Sequence, residues 1–147
     1  MFIRRHDAVL EVLVSAISRL GLPARVNLQD QESGLRPDIV IEGRVPRLII
    51  DVAVAHDDPT NLQKAFDSKV SKYEHLGLIL PLVVGSLGSW LPTNDEIAAE
   101  LRIGPRAWAG LRRTARLLAS KGSTSVIRHH FDPTGSAPTD QQIVMDG

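Results

Sequence analysis

The run Leu48-Ile49-Ile50-Asp51-Val52-Ala53-Val54 constrains this chain most, because it is apolar throughout except for one carboxylate at its centre. Near-continuous aliphatic residues read as a strand covered on both faces. A carboxylate inside such a strand is costly unless an opposite charge, hydrogen bonds or a cation compensate it. The stretch before it, Asp38-Ile39-Val40-Ile41-Glu42, is bounded by Pro37 and Gly43 and reads as a second, short strand. Gly43-Arg44-Val45-Pro46 makes the turn between them. With that turn centred near 44–45, antiparallel pairing sets Asp38 across from Asp51. Cross-strand neighbours have Cβ atoms ~5 Å apart, and one divalent cation can bridge two carboxylates at that spacing. Taken alone, Asp38 also suits a turn-initiating residue at a strand start.

His56-Asp57-Asp58-Pro59 ends the second strand, and Thr60 is placed to cap a helix running to about Gly77. Leu62, Phe66, Lys69, Tyr73 and Leu76 share one face of it at i+3 and i+4 steps. Lys69 therefore lies on the core side, with Lys72 close by. A core-side lysine usually snorkels to water; here the outlet is the cleft expected to hold both aspartates. There it would stabilise charge on a phosphate or orient an attacking water. Two carboxylates and a cation are the minimum set for metal-assisted hydrolysis of a phosphodiester. Tyr73 is an accessory candidate, and His75 reads as an exposed helix-end residue.

The rest of the chain builds around this unit. Asp7 to Leu20 reads as an amphipathic helix with Asp7 at its N-cap and Gly21 and Pro23 as its stop. Glu11 sits beside the apolar stripe, either turned into a cleft as a second accessory candidate or solvated. Ala24 to Leu28 is a short strand, followed by a polar loop from Gln29 to Gly34. Leu78 to Val84 is a third long strand, in which Pro81 implies an edge position or a bulge. A strand–helix–strand sequence implies parallel pairing of the last two strands. Trp90 reads as a core plug. Thr93 to Glu96 matches a capping box ahead of a helix to about Leu101. Gly104 and Pro105 break it, and a further helix to about Ser120 carries Arg106, Arg112, Arg113 and Arg116. These two helices either pack on the sheet or form a helix-turn-helix DNA reader. Ser123 to Phe131 is expected to add a last short helix, and Asp132 onward a disordered tail.

Composition bounds the alternatives. With 147 residues, 43% of them hydrophobic and 23% charged, the chain suits one domain with a real core. The longest apolar run, Leu76 to Val84, is interrupted by Gly77 and Pro81 and falls far short of the ~20 residues a membrane span needs. The start, Met1 to His6, is not a secretory signal, and there is no cysteine for disulfides or thiolate metal sites. An intracellular protein, nuclear or cytoplasmic, is expected. The net charge of zero hides an uneven spread: residues 1–101 carry 10 basic and 14 acidic side chains, and residues 102–131 carry 7 basic and no acidic ones. A basic segment on an acidic-leaning body fits a protein that grips phosphates on one side, or else a solvated helix face.

Arg36-Pro37-Asp38, then Asp51 on the next strand, then Lys69-x-x-Lys72-Tyr73 on the following helix resembles the restriction-like endonuclease of site-specific non-LTR retrotransposons, a branch of the PD-(D/E)xK nucleases. Arg5-His6-Asp7, Pro81 to Gly85, Gly88-Ser89-Trp90, Asn94, Ser125 to Arg128 and Phe131 extend the resemblance over roughly residues 5 to 131. It departs from the superfamily pattern at Ala53, where the usual lysine follows the second acid; the retrotransposon branch is similar in carrying its lysine on the helix. The resemblance implies Mg²⁺ or Mn²⁺ held by Asp38 and Asp51, with the carbonyl of Val52 as a further ligand. It gives Lys69 or Lys72 the catalytic role and makes DNA the partner, with RNA and a reverse transcriptase module in a parent protein.

The resulting expectation is an α/β fold with a restriction-endonuclease-like core, a central mixed sheet flanked by helices over about 5–86, and a helical extension over about 93–131. The expected activity is a metal-dependent nick in DNA, with Arg36 and the four arginines of the last long helix as DNA contacts. The alternative is a catalytically inactive DNA-binding module, either a decayed nuclease fold or a helix-turn-helix reader.

Overall fold

The computed structural model describes residues 4–121. The expected helix over Ser123–Phe131 and the tail from Asp132 lie outside the described residues. Ten segments follow one another: α1 (Arg5–Leu20), β1 (Ala24–Val26), β2 (Ile39–Ile41), β3 (Leu48–Ala55), α2 (Pro59–Tyr73), a 3₁₀ turn (Glu74–Leu76), β4 (Leu78–Gly85), a second 3₁₀ turn (Pro92–Asn94), α3 (Asp95–Leu101) and α4 (Pro105–Lys121). The strands form one sheet in the order β1-β2-β3-β4, antiparallel except for the parallel pair β3–β4 that α2 connects.

The strand period of two divides the core. Ile39, Ile41, Leu48, Ile50, Val52, Leu80, Leu82 and Val84 turn to one face, where Val9, Leu13 and Ile17 of α1 and Leu111, Ala115 and Leu118 of α4 cover them. Val40, Ile49 and Ile79 turn to the other face, against Tyr73 and Val70 of α2. The fold is thus α/β, a mixed sheet with α1 and α4 on one side and α2 on the other. Among the described residues no helix is long and apolar enough to cross a membrane.

Pro81 lies in the outermost strand, as its missing donor requires. The N–H of Val83, two residues on, points outward to Asn94 Oδ1 at 2.9 Å, so the side of Pro81 without an N–H faces away from β3. Asn94 also donates from Nδ2 to the carbonyl of Val83 at 2.8 Å and closes that stretch of open edge.

Several caps differ from the sequence reading. The first helix begins at Arg5, with Arg4 at the cap; Asp7 sits in its first turn and binds the His6 ring instead. Asp58, not Thr60, caps α2, accepting from the N–H groups of Thr60 and Asn61, with Pro59 at the first helical position, where no donor is needed. The capping box at Thr93 does not form. Thr93 lies within a 3₁₀ turn, its hydroxyl is buried without a hydrogen-bond partner, and Asn94, which precedes α3, spends its side chain on β4. The first strand stops at Val26 because Asn27 turns left-handed at φ 55°. Trp90 is only half-buried: it packs at the core margin, edge-on to Trp108, and donates to Asp95.

Candidate active site

Asp38 immediately precedes β2, and the β2–β3 register (Ile39 to Ile50, Val40 to Ile49, Ile41 to Leu48) carries it opposite Asp51. There the ladder ends and side chains take over from backbone. The N–H of Asp38 donates to Asp51 Oδ1 at 2.7 Å, and the N–H of Val52 donates to Asp38 Oδ2 at 2.8 Å. This reciprocal lock holds both carboxylates against the end of the ladder, with Asp38 7% and Asp51 2% exposed. Burial on this scale requires compensating charge.

Two cations supply it from opposite sides. Asp51 shares the strand face of Ile49, which α2 covers, and Lys69 of that helix brings Nζ to 2.6 Å from Asp51 Oδ2. Ala53, two residues along the same face, supplies no charge. On the other side the start of α1 places His6 Nε2 3.0 Å from Asp38 Oδ2, while Nδ1 lies 3.0 Å from Asp7 Oδ1. The hydrogen bond to Asp38 raises the His6 imidazole to about 9 against the opposing effect of burial, and Asp7 adds to the rise. As an imidazolium, His6 donates from both ring nitrogens.

The carboxylates diverge. Burial pushes Asp38 up, but the hydrogen bonds from His6 and Val52 outweigh it and hold Asp38 below the ordinary range. Burial and the charge of Asp38 push Asp51 above that range despite Lys69. Asp51 is thus the carboxylate whose charge its surroundings compensate less fully.

A hard divalent cation would add positive charge there. Among the described residues no three acidic or histidine side chains gather into a ready cage. Mg²⁺ needs none, since it binds through one or two carboxylates and keeps several waters. The N–H and C=O of one strand residue point to the same side, so the carbonyl of Val52 faces the edge its N–H shares with Asp38. Asp38, Asp51 and the Val52 carbonyl offer only oxygen atoms, the donor type that Mg²⁺ and Mn²⁺ take.

The remaining candidates divide. Lys72 is not on the carboxylates: its Nζ lies 5.2 Å from the centroid of the Tyr73 ring. Tyr73 is buried against β2 and β3, and burial, with the charges of Asp51 and Asp38, pushes its phenol up to about 12. Glu11 is half-buried on α1, and burial, with the charge of Asp7 one turn before it, pushes it up to about 7. Arg36 is exposed two residues ahead of Asp38. The arginines of α4 lie on the opposite sheet face from Lys69. Arg112 stacks 5.5 Å from the Trp90 centroid, Arg116 Nε donates to the Gly88 carbonyl at 2.7 Å, and both line a groove of about 940 Å³ with Arg113 and Trp108. Arg106 lines a separate groove between α1 and α4.

Sequence reading assigned no role to His6. Its signal was present in Arg5-His6-Asp7 at the head of a helix, but a residue 32 positions before Asp38 reaches it only through tertiary packing.

The sequence matches no known protein-family model and no curated protein.

Proposed function

We propose that this chain is a metal-dependent DNA endonuclease domain that nicks one strand by phosphodiester hydrolysis. The observation that carries this reading is the locked pair Asp38–Asp51 with Lys69 on one carboxylate and His6 on the other. The order helix, three strands, helix, parallel strand supports a PD-(D/E)xK core, and the Lys69–Asp51 contact supports a lysine carried on the helix in place of Ala53.

Asp38, Asp51 and the carbonyl of Val52 would hold the cation, which supplies Lewis acidity and lowers the pKa of water. Lys69 stands beside Asp51, where it stabilises the charge that develops on the phosphoryl oxygens and orients the incoming water. His6 is a positioning residue that fixes the Asp38 carboxylate. The water oxygen bonds to phosphorus, the bond to the 3′ oxygen breaks, one proton of the water goes to solvent, and the departing 3′ oxygen takes up a proton from solvent. The products are a 3′-hydroxyl, as target-primed retrotransposition requires, and a 5′-phosphate.

Supercoiled plasmid incubated with Mg²⁺, with Mn²⁺ and with chelator tests this. Metal-dependent conversion to the open circle, lost in Asp51→Asn and Asp38→Asn, is the expected result. Absence of nicking with either metal, while DNA is still retained in a gel shift, would overturn it in favour of a binding module built on the α4 arginine groove.

A further inference from the structure

Pairing between β2 and β3 reaches only to Ile39–Ile50, so from Asp51 to Ala55 the strand β3 has no neighbouring strand on that side among the described residues. Asp38 covers the first open rung through the N–H of Val52. Beyond it, along Val54 and Ala55, runs a cleft of about 580 Å³. Arg4, Arg5 and His6 from the start of α1 form one wall; His56 after β3 and Ser86 after β4 form the other. Among the described residues no acidic side chain lines the cleft. Asp57, the nearest acid in sequence to His56, is committed to the N–H groups of Leu87 and Ser89 and the Ser89 hydroxyl.

One residue joins this cleft to the carboxylates. His6 lines it and also holds Asp38. The cleft therefore starts at the candidate site and leads away along an open strand edge, with Arg4 and His56 exposed along it. A row of donors and positive charge extending from a hydrolytic centre matches a row of phosphates, which follow one another at ~3.4 Å of rise along a strand. The α4 arginines are placed otherwise: they lie on the far face of the sheet from Lys69, and Arg112 and Arg116 already engage Trp90 and the Gly88 carbonyl.

The geometry points to this cleft as the seat of the DNA backbone beside the bond to be cut, with Arg4 and His56 each taking a phosphate. This rests on the endonuclease reading for the word "cut" but not for the binding itself. Arg4 holds its phosphate by charge and hydrogen bonds, His56 by a ring N–H. Both contacts are blind to sequence and set the register of the strand against Asp38 and Asp51.

The test is fluorescence anisotropy of a short labelled DNA duplex over a range of salt, in chelator so that no cleavage intervenes. Wild type, Arg4→Ala/His56→Ala and Arg4→Lys are compared, with circular dichroism as the check on folding. The double variant is expected to bind roughly 10-fold more weakly and to lose about 1 from the slope of log affinity on log salt, the share of the Arg4 charge. Arg4→Lys is expected to stay near wild type. Affinity and slope unchanged in the double variant would overturn the cleft, even if the wild type nicks plasmid. Affinity that depends on Arg4 and His56 in a protein that fails to nick with either Mg²⁺ or Mn²⁺ would support the cleft and overturn the endonuclease. A wild type that binds no duplex at any salt would overturn both.

Discussion

Lys69 Nζ lies 2.6 Å from Asp51 Oδ2, whereas Lys72, three residues on along the same helix, rests over the ring of Tyr73. Residues three apart on a helix are neighbours on its surface, so sequence spacing does not separate the two lysines. The sheet does, because Asp51 stands on the strand face that α2 covers and the Lys69 side chain is the one that meets it.

Lys69→Met is therefore expected to lower the nicking rate about 10²- to 10³-fold, the range for removing one charge-stabilising donor. Lys72→Met should remain within a few-fold of wild type. Single-turnover nicking at saturating Mg²⁺ checks both, and equal losses would sink the assignment.

Asp51→Asn should separate stability from activity. Burial and the neighbouring Asp38 raise the Asp51 carboxyl in the folded state. A raised acid contributes stability that is complete below its unfolded pKa and is lost as pH rises through the folded value. At pH 7 the ionised group is therefore a burden that asparagine lacks, while its side-chain oxygen still accepts from the Asp38 N–H. The variant is expected to melt at or a few degrees above wild type at pH 7, with the gap closing near pH 3, and to nick no DNA. A large drop in Tm would contradict this.

The His6–Asp38 contact has the opposite practical sign at neutral pH. Its imidazole rises from 6.5 to about 9 on folding. The stability it adds is complete below pH 6.5 and disappears as pH rises through 9. His6→Ala should therefore melt below wild type at pH 6, and the difference should vanish by pH 10. The drop is modest, a few degrees at most, because the His6 side chain is 36% exposed and solvent screens the pair. Thermal melts at several pH values decide it; a gap that does not depend on pH would mean the histidine acts through packing alone.

Asn94→Ala strips two buried partners from one residue of β4, the N–H and the carbonyl of Val83. Asn94 is 0% exposed, so both groups lie in the protein interior. A loss of about 3 kcal/mol is expected, from two buried backbone groups left unsatisfied. Urea unfolding reads it as a lower midpoint with little change in slope.

Much of this architecture was legible in the chain itself. Asp51 inside an apolar run demanded compensation, and the short turn at 43–46 set the register that brings Asp38 opposite it. Pro81 implied an edge position or a bulge and the strand proves to be the edge, while a strand–helix–strand order implied the parallel pair. These signals are local: strand alternation, proline's missing donor and turn length act within a few residues. The caps expected at Asp7, Thr60 and Thr93 do not form, since α1 already starts at Arg5 and other arrangements take the later two positions. Asp58 with Pro59 outranked Thr60, and a 3₁₀ turn took Thr93.

What the sequence determined by itself is therefore the strand pair, its register and the buried charge that needs a partner. Only the tertiary structure decided which partners arrive. Lys69 rather than Lys72 meets Asp51, and His6 reaches Asp38 across 32 residues, because α2 and α1 pack on the sheet at fixed rotations set by their whole apolar faces. The open edge of β3 beside Arg4 and His56 likewise exists only because β2 stops at Ile39 while the helix start and the strand-end loops close around the gap. A side chain's own neighbours in sequence carry no record of that packing, since it is the sum of many distant contacts.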